Sequence, residues 1–205
     1  VWAWGFGGLA LLAASCGVLV IGARGAEHAP ADAGDDAAEP LTWTRRGWWL
    51  LITFIPSSLM LGVTHFLTTD LASVPLFWVL PLGLYLLSFI LVFGRLPFFG
   101  RVLGFVLPPA TLLLMSATVT KALPMAALVV CHLLLFFGFA LFFHGKLAED
   151  RPNTEHLTEF YMWMAVGGAL GGVFNGLVAP VIFDWRVEYF LVLAVAIALM
   201  QPFGV

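Results

Sequence analysis

"PMAALVVCHLLLFFGFALFF", residues 124–143, runs for twenty positions without a charge, and its one proline stands at the start. A helix needs about 20 apolar residues to cross a hydrocarbon core about 30 Å thick. The stretch therefore points to a bilayer as the solvent, and the rest of the chain repeats the pattern. Hydrophobic residues make up 61% of the 205, with 19 Phe and 8 Trp, against about 45–50% in a typical soluble domain. Spans are expected at 1–22, 48–66, 74–94, 102–120, 124–143, 158–183 and from 189 to the end. The fold class is thus all-α, a polytopic transmembrane bundle of about seven spans that reads as part of a larger one. The chain opens at "VWAWGFGG" without Met and stops at Val205 in apolar sequence, as a piece of something longer would.

Residues 23–47, rich in Ala, Asp, Glu, Pro and Gly, read as a flexible acidic loop, and residues 48–205 as a six-span module. Twelve acidic against nine basic residues leave no basic face for nucleic acid, so the lipid bilayer is the first partner. Arg24, Arg45, Arg46, Arg95, Arg101, Lys146 and Arg151 fall in the odd loops, and only Lys121 and Arg186 in the even ones. Positive charge is retained in the cytoplasm, which places the N-terminus outside and residues 144–159 in the cytoplasm. Cys16 and Cys131, isolated within apolar runs, read as packing residues. "LLAASCG" (11–17) only faintly resembles a lipoprotein processing site, since no basic residue precedes it.

Four polar features interrupt the apolar sequence. "GGALGGVFNG" (167–176) sets Gly167 with Gly171, Gly168 with Gly172, and Gly172 with Gly176 at four-residue spacing. This is the small-residue pattern that lets membrane helices approach closely, and not a dinucleotide fingerprint. Asn175 in the same helix needs a partner at that depth, an interhelical hydrogen bond or a ligand. "FIPSSLMLGVTHFLTTD" (54–70) carries Pro56 in mid-span, where Ser57 and Ser58 can compensate locally. Such a broken helix can build a substrate site. His65, Thr68, Thr69 and Asp70 follow, as a polar lining or as a helix end whose hydroxyls bond back to carbonyls. His132 is ionisable at membrane depth, a functional signal by default, though a hydrogen-bonded neutral ring explains it as well.

The fourth feature is "HGKLAEDRPNTEHLTE" (144–159). His144, Glu155, His156 and Glu159 have the atom types of a metal site, but H-x-x-E is only half of one. The favoured reading is a structured cytoplasmic turn. Asn153 or Thr154 would cap the next helix, and Glu155 and Glu159 would lie near its positive end. No metal site, no cofactor and no catalytic residue is expected in this chain.

The blocks at 57–93, 144–152 ("HGKLAEDRP"), 157–180 ("LTEFYMWMAVGGALGGVFNGLVAP") and 188–191 ("EYFL") resemble bacterial membrane proteins of the fused major-facilitator/spermidine-synthase-like family. The likeness covers nearly all of 48–205, in the same block order. It departs at Lys146, where the family reads "HGEL". The resemblance implies a bacterial inner-membrane protein whose membrane half accompanies a cytoplasmic Rossmann-type domain similar to aminopropyltransferases, downstream or in trans. No strand and glycine-rich turn of such a domain occurs within these residues. Two functions follow as expectations. The module recognises or moves a small polar, polyamine-like molecule or anchors the transferase-like domain, or it is an accessory scaffold. For a cationic substrate, Asp70, Glu149, Asp150 and Glu159 are the available carboxylates, and His65, Thr68, Thr69, His132 and Asn175 the polar lining.

Overall fold

The computed structural model describes residues 41–70, 77–94, 100–183 and 187–200, and every regular element among them is helical. Helix α1 covers Trp43–Asp70, α2 Val79–Phe93, α3 Gly100–Thr120 and α4 Met125–Glu149. They are followed by α5 at Leu157–Val173, α6 at Ala179–Ile182 and α7 at Val187–Met200. A 3-10 turn, Thr154–His156, leads into α5, and a π-turn, Phe174–Val178, joins α5 to α6.

Among the described residues four stretches are long and apolar enough to cross a membrane: Trp43–Thr68, Gly100–Thr120, Met125–Glu149 and Thr154–Ile182. That is fewer than the seven expected. The span expected at 1–22, with Cys16 and most of the acidic loop, lies outside the described residues. The described parts of the third and seventh are helices of 15 and 14 residues. At 1.5 Å per residue these are about 22 and 21 Å long, short of a core of about 30 Å.

Helix α1 is the central element. Trp49, Ile52, Ile55, Leu59 and Val63 recur at three- and four-residue intervals and are all but inaccessible, as one face of a buried helix requires. Helix α4 packs against it, and Leu135, Phe136, Phe139, Phe142, Phe143 and Leu147 of α4 are all buried in the bundle. Neighbours surround this pair: α5, running parallel to α1, and α7 lie on α1, while α2 and α3 lie on α4. Outward faces stay apolar, with Phe105, Leu112 and Leu113 on α3 and Leu177, Val181 and Ile182 beyond α5 exposed. Apolar outer surfaces of this kind suit lipid better than water.

Two of the boundaries that differ from the sequence expectation bear on the polar residues. Helix α1 begins at Trp43 rather than 48, taking in Arg45 and Arg46, because both guanidinium groups find carboxylates on the facing segment. Helix α4 continues to Glu149 rather than ending at 143. His144, Gly145 and Leu147 are buried, so the wet turn shrinks from sixteen residues to Asp150–Asn153 before the 3-10 turn begins.

Pro56 does not break α1. Its missing N–H removes one ladder bond, yet the helix runs 28 residues through it, held by the buried residues on either side. Ser57 and Ser58 do not compensate locally. Ser57 Oγ donates to the Gly168 carbonyl and Ser58 Oγ accepts from Asn175 Nδ2, so both serines serve the α1–α5 seam. Close approach there requires glycine at two positions. A Cβ on Gly167 would overlap the Leu50 carbonyl, and one on Gly171 would lie 2.9 Å from the Phe54 oxygen and from Ser57 Cβ. The packing stripe is narrower than the spacing suggests. A Cβ on Gly168 would only reach Thr53 Cγ2 at 4.0 Å, and one on Gly172 or Gly176 would meet nothing within 4 Å.

Candidate functional site

Polar groups gather at three levels of the bundle. At the start of α1, Arg45 pairs with Asp150 at 2.8 Å and also donates to the Asp150 carbonyl. The buried indole of Trp49 donates to the other oxygen of the same carboxylate at 2.6 Å. Arg46 binds Glu159, which also accepts from Trp163 Nε1. Arg46 further lies over the Trp43 ring and Arg45 over the Trp49 ring. Lys146 pairs with Glu149 at 3.0 Å. Asp150, Glu159 and Glu149, expected as carboxylates for a cationic substrate, are therefore answered by the chain's own cations. Asn153, one of the two expected caps, makes no side-chain capping bond, and the residue at the N-cap of α5 is His156 rather than Asn153 or Thr154. Instead the His156 N–H bonds to the Asn153 carbonyl in the 3-10 turn, which leaves the Asn153 amide without a capping role.

The opposite end of α1 holds His65, Thr68, Thr69 and Asp70. Thr64 donates to the Met60 carbonyl and Thr68 to the Thr64 carbonyl, so these hydroxyls bond back along their own helix. The side chains of Thr69 and Asp70 lie outside the described ones. His65 Nδ1 is 3.6 Å from Glu188 Oε1 at the start of α7. His132 is fully buried, stacked on Phe66 with centroids 4.4 Å apart, and its Nδ1 donates to the Leu128 carbonyl at 2.9 Å. From Arg46 to His65 is 19 residues of helix, roughly 28 Å. Glu159 and the His65–Asp70 group therefore cannot share one small-molecule site. Among the described residues no three His, Cys, Asp or Glu side chains converge as metal ligands. His144 sits inside the bundle while His156 lies at the start of α5.

Between these ends lies a cleft of about 370 Å³ lined by Thr53 and Ser57 of α1, Tyr85 and Phe89 of α2, and Tyr161, Met164 and Gly168 of α5, with Ala165 and Ala169 at its exposed edge. Thr53 and Ser57 fall near the middle of α1, and Gly168 near the middle of Thr154–Ile182. The helices part here because α2 packs mainly on α4 and α5 mainly on α1. Glycine and alanine on α5 leave the resulting gap unfilled. Thr53 Oγ1 donates to the Trp49 carbonyl at 2.7 Å and Ser57 Oγ to the Gly168 carbonyl at 2.8 Å. With their protons so used, both hydroxyls can only accept from anything entering the cleft. Asn175 lies one turn beyond Gly171 and binds its carbonyl as well as Ser58. It is an interhelical tie within the π-turn that precedes Pro180, and it does not line the cleft.

Behind the cleft wall stands His144 of α4. Its ring stacks on Phe89 with centroids 3.7 Å apart and meets the edge of Tyr85 at 5.0 Å. Its Nδ1 is 2.8 Å from Ser88 Oγ. The sequence offered a signal for this group. Tyr85, Ser88 and Phe89 share one helix face by their spacing, and the apolar run 124–143 passes into His144 with no turn residue between.

No known family model matches the chain, and neither a curated protein nor a solved structure does.

Proposed function

We propose that the chain is the membrane module of a spermidine-synthase-like protein of the bacterial inner membrane, one that recognises or moves a small amphipathic molecule. One observation carries this reading. A cleft with four hydroxyl-bearing side chains, Thr53, Ser57, Tyr85 and Tyr161, lies near the middle of three packed helices, where membrane proteins that handle solutes place their sites. The block resemblance over 48–205 supports it. No carboxylate lines the cleft, which favours a neutral or singly charged molecule over a polyamine, whose two or more charges would lack partners at depth. The charge asymmetry of the loops supports a cytoplasmic location for the Asp150–Asn153 turn.

A second reading is favoured by the ties of Arg45 and Arg46 to Asp150 and Glu159, which fix the start of α1 to the start of α5. A rigid end of this kind suits a scaffold that anchors an aminopropyltransferase-like domain, attached or in trans. Thermal unfolding in nanodiscs, with a panel of small amines and alcohols, separates the two. A ligand at 100 times its Kd raises stability by about 2.7 kcal/mol. Recognition predicts such a shift for at least one compound and its loss in Ala169→Phe, which fills the cleft from an exposed position. No shift with any compound, or the same shift in Ala169→Phe, refutes recognition and leaves the scaffold.

A further inference from the structure

The cleft opens sideways. Ala165 and Ala169 at its edge are exposed and fall in the middle third of Thr154–Ile182. On α5 the exposed neighbours of that edge are Met162, Val166 and Leu170. On α2 the residues next to Tyr85 and Phe89 are Leu86 and Ile90, also exposed. Both rims are thus apolar at mid-span, where lipid tails and not water surround a membrane helix. No charged residue lines the cleft. A molecule that enters there comes from the hydrocarbon and brings no net charge, since a charge at that depth would be left without a partner.

The hydroxyls of the lining then set what the molecule carries. Thr53 and Ser57 have given their protons to the Trp49 and Gly168 carbonyls, and a hydroxyl has only one to give. Tyr85 is different. Its ring is half-buried and meets those of Phe89 and His144 edge-on, at 5.3 and 5.0 Å. Among the described residues nothing hydrogen-bonds to its hydroxyl. The Tyr189 hydroxyl, also unpaired, is sealed inside the bundle, whereas that of Tyr85 is not. A donor with no partner is rarer in folded proteins than an acceptor with a lone pair to spare, and hydrocarbon offers it nothing.

We propose that the cleft admits, from the bilayer, a neutral apolar molecule with a carbonyl oxygen, and that the Tyr85 hydroxyl donates to that oxygen. A carbonyl accepts and has nothing to donate, so Tyr85 satisfies it, and Thr53 and Ser57, each already bonded, need no proton from it. Phe89, Tyr161 and Met164 supply two rings and a thioether for the apolar body, surfaces that pack well on flat or irregular hydrocarbon. The assignment rests on the cleft being a recognition site, and it adds the chemistry of the ligand. Such a carbonyl has two sources in a membrane, the ester of a lipid chain and a free lipid-soluble ketone or quinone.

Benzophenone serves as the probe, because its carbonyl accepts a hydrogen bond and, on irradiation, inserts into a nearby C–H bond. The whole chain is labelled in phosphatidylcholine nanodiscs and the adduct located by peptide mass spectrometry, with concentrations expressed per lipid. A saturable adduct on Met164 or its neighbours in the cleft is expected. Fluorenone, which has a carbonyl, should displace it about tenfold better than fluorene, which has the same rings without one, the ratio for a single hydrogen bond. Tyr85→Phe keeps the ring and should abolish that preference. Equal displacement by fluorenone and fluorene in the native chain, which needs no variant to fold, would overturn the carbonyl. A preference that survives Tyr85→Phe would overturn Tyr85 as the donor. Ala169→Phe closes the mouth and should abolish the adduct, and full labelling of that variant would overturn entry from lipid. No saturable adduct at the cleft of the native chain would instead overturn the recognition site itself. Repeating the labelling in nanodiscs of ether-linked phosphatidylcholine, which has no ester carbonyl, identifies the source. Tighter apparent binding there supports a lipid ester competing for the cleft, and unchanged binding supports a free carbonyl compound.

Discussion

Gly171→Ala and Gly172→Ala are adjacent substitutions on α5 with opposite expected outcomes. An added Cβ at Gly171 lies 2.9 Å from the Phe54 carbonyl oxygen, 2.9 Å from Ser57 Cβ and 3.0 Å from Ser57 Oγ. The first of these is backbone of a 28-residue helix, so relief requires α1 and α5 to part by about half an ångström along the seam. Overpacking of this kind costs about 1–3 kcal/mol, while replacing glycine by alanine in a helix returns about 1 kcal/mol. At Gly172 nothing lies within 4 Å of the new Cβ, so only the helix-propensity gain applies. The difference between the two variants removes that shared gain and leaves the steric cost, centred near 2 kcal/mol. For a chain of this size that corresponds to a gap of about 4–8 °C in Tm. Thermal unfolding in one detergent, followed by far-ultraviolet circular dichroism, measures it. Equal midpoints, or a lower midpoint for Gly172→Ala, would mean that α5 turns its other face to α1 and would refute the seam.

Asp150→Ala leaves the buried Trp49 indole without an acceptor and should cost about 1–3 kcal/mol. Asp150→Asn keeps a carbonyl for the indole and loses only the partly exposed pair with Arg45, at most about 1 kcal/mol. Equal losses in chemical denaturation would rule out the indole contact. Lys121 ends α3 with φ 53°, a left-handed conformation that costs a side-chain-bearing residue about 1 kcal/mol or more. Lys121→Gly should therefore raise the melting temperature, and a lower one would contradict that backbone. A cysteine at Asn153 should react with a membrane-impermeant thiol reagent only after the cells are opened. Labelling in intact cells would reverse the proposed topology.

The helical class was legible because apolar runs need no tertiary information: length and lack of charge suffice. The α1–α5 seam was half legible. Four-residue glycine spacing identifies a helix able to pack closely, but the spacing is shared by two stripes. Only the placement of α1 selects Gly167 and Gly171 over Gly172 and Gly176. The ends of α1 and α4 were misjudged for one physical reason. A charged residue next to an apolar run looks like loop until its partner is known, and Arg45 and Arg46 find theirs more than a hundred residues away. Pairing of that range leaves no periodic trace in a single sequence.

The same blind spot hid the cleft. Of the expected lining, Thr68 bonds to its own helix, Asn175 ties two helices, and Glu159 is held by Arg46 and Trp163. Their polarity marked them out, yet within the fold that polarity is already matched by neighbours in the chain. Tyr85, Ser88, Phe89 and Thr53 drew no notice, being ordinary residues of apolar helices. Unmatched bonding capacity, not polarity, separates a residue available to a ligand from one occupied with the fold. In a membrane interior the distinction is sharp, because no bulk water stands ready to satisfy what the chain leaves open. It therefore turns the search for a ligand away from the carboxylates, which the sequence had placed in the site, and toward the hydroxyl oxygens and rings that line the cleft.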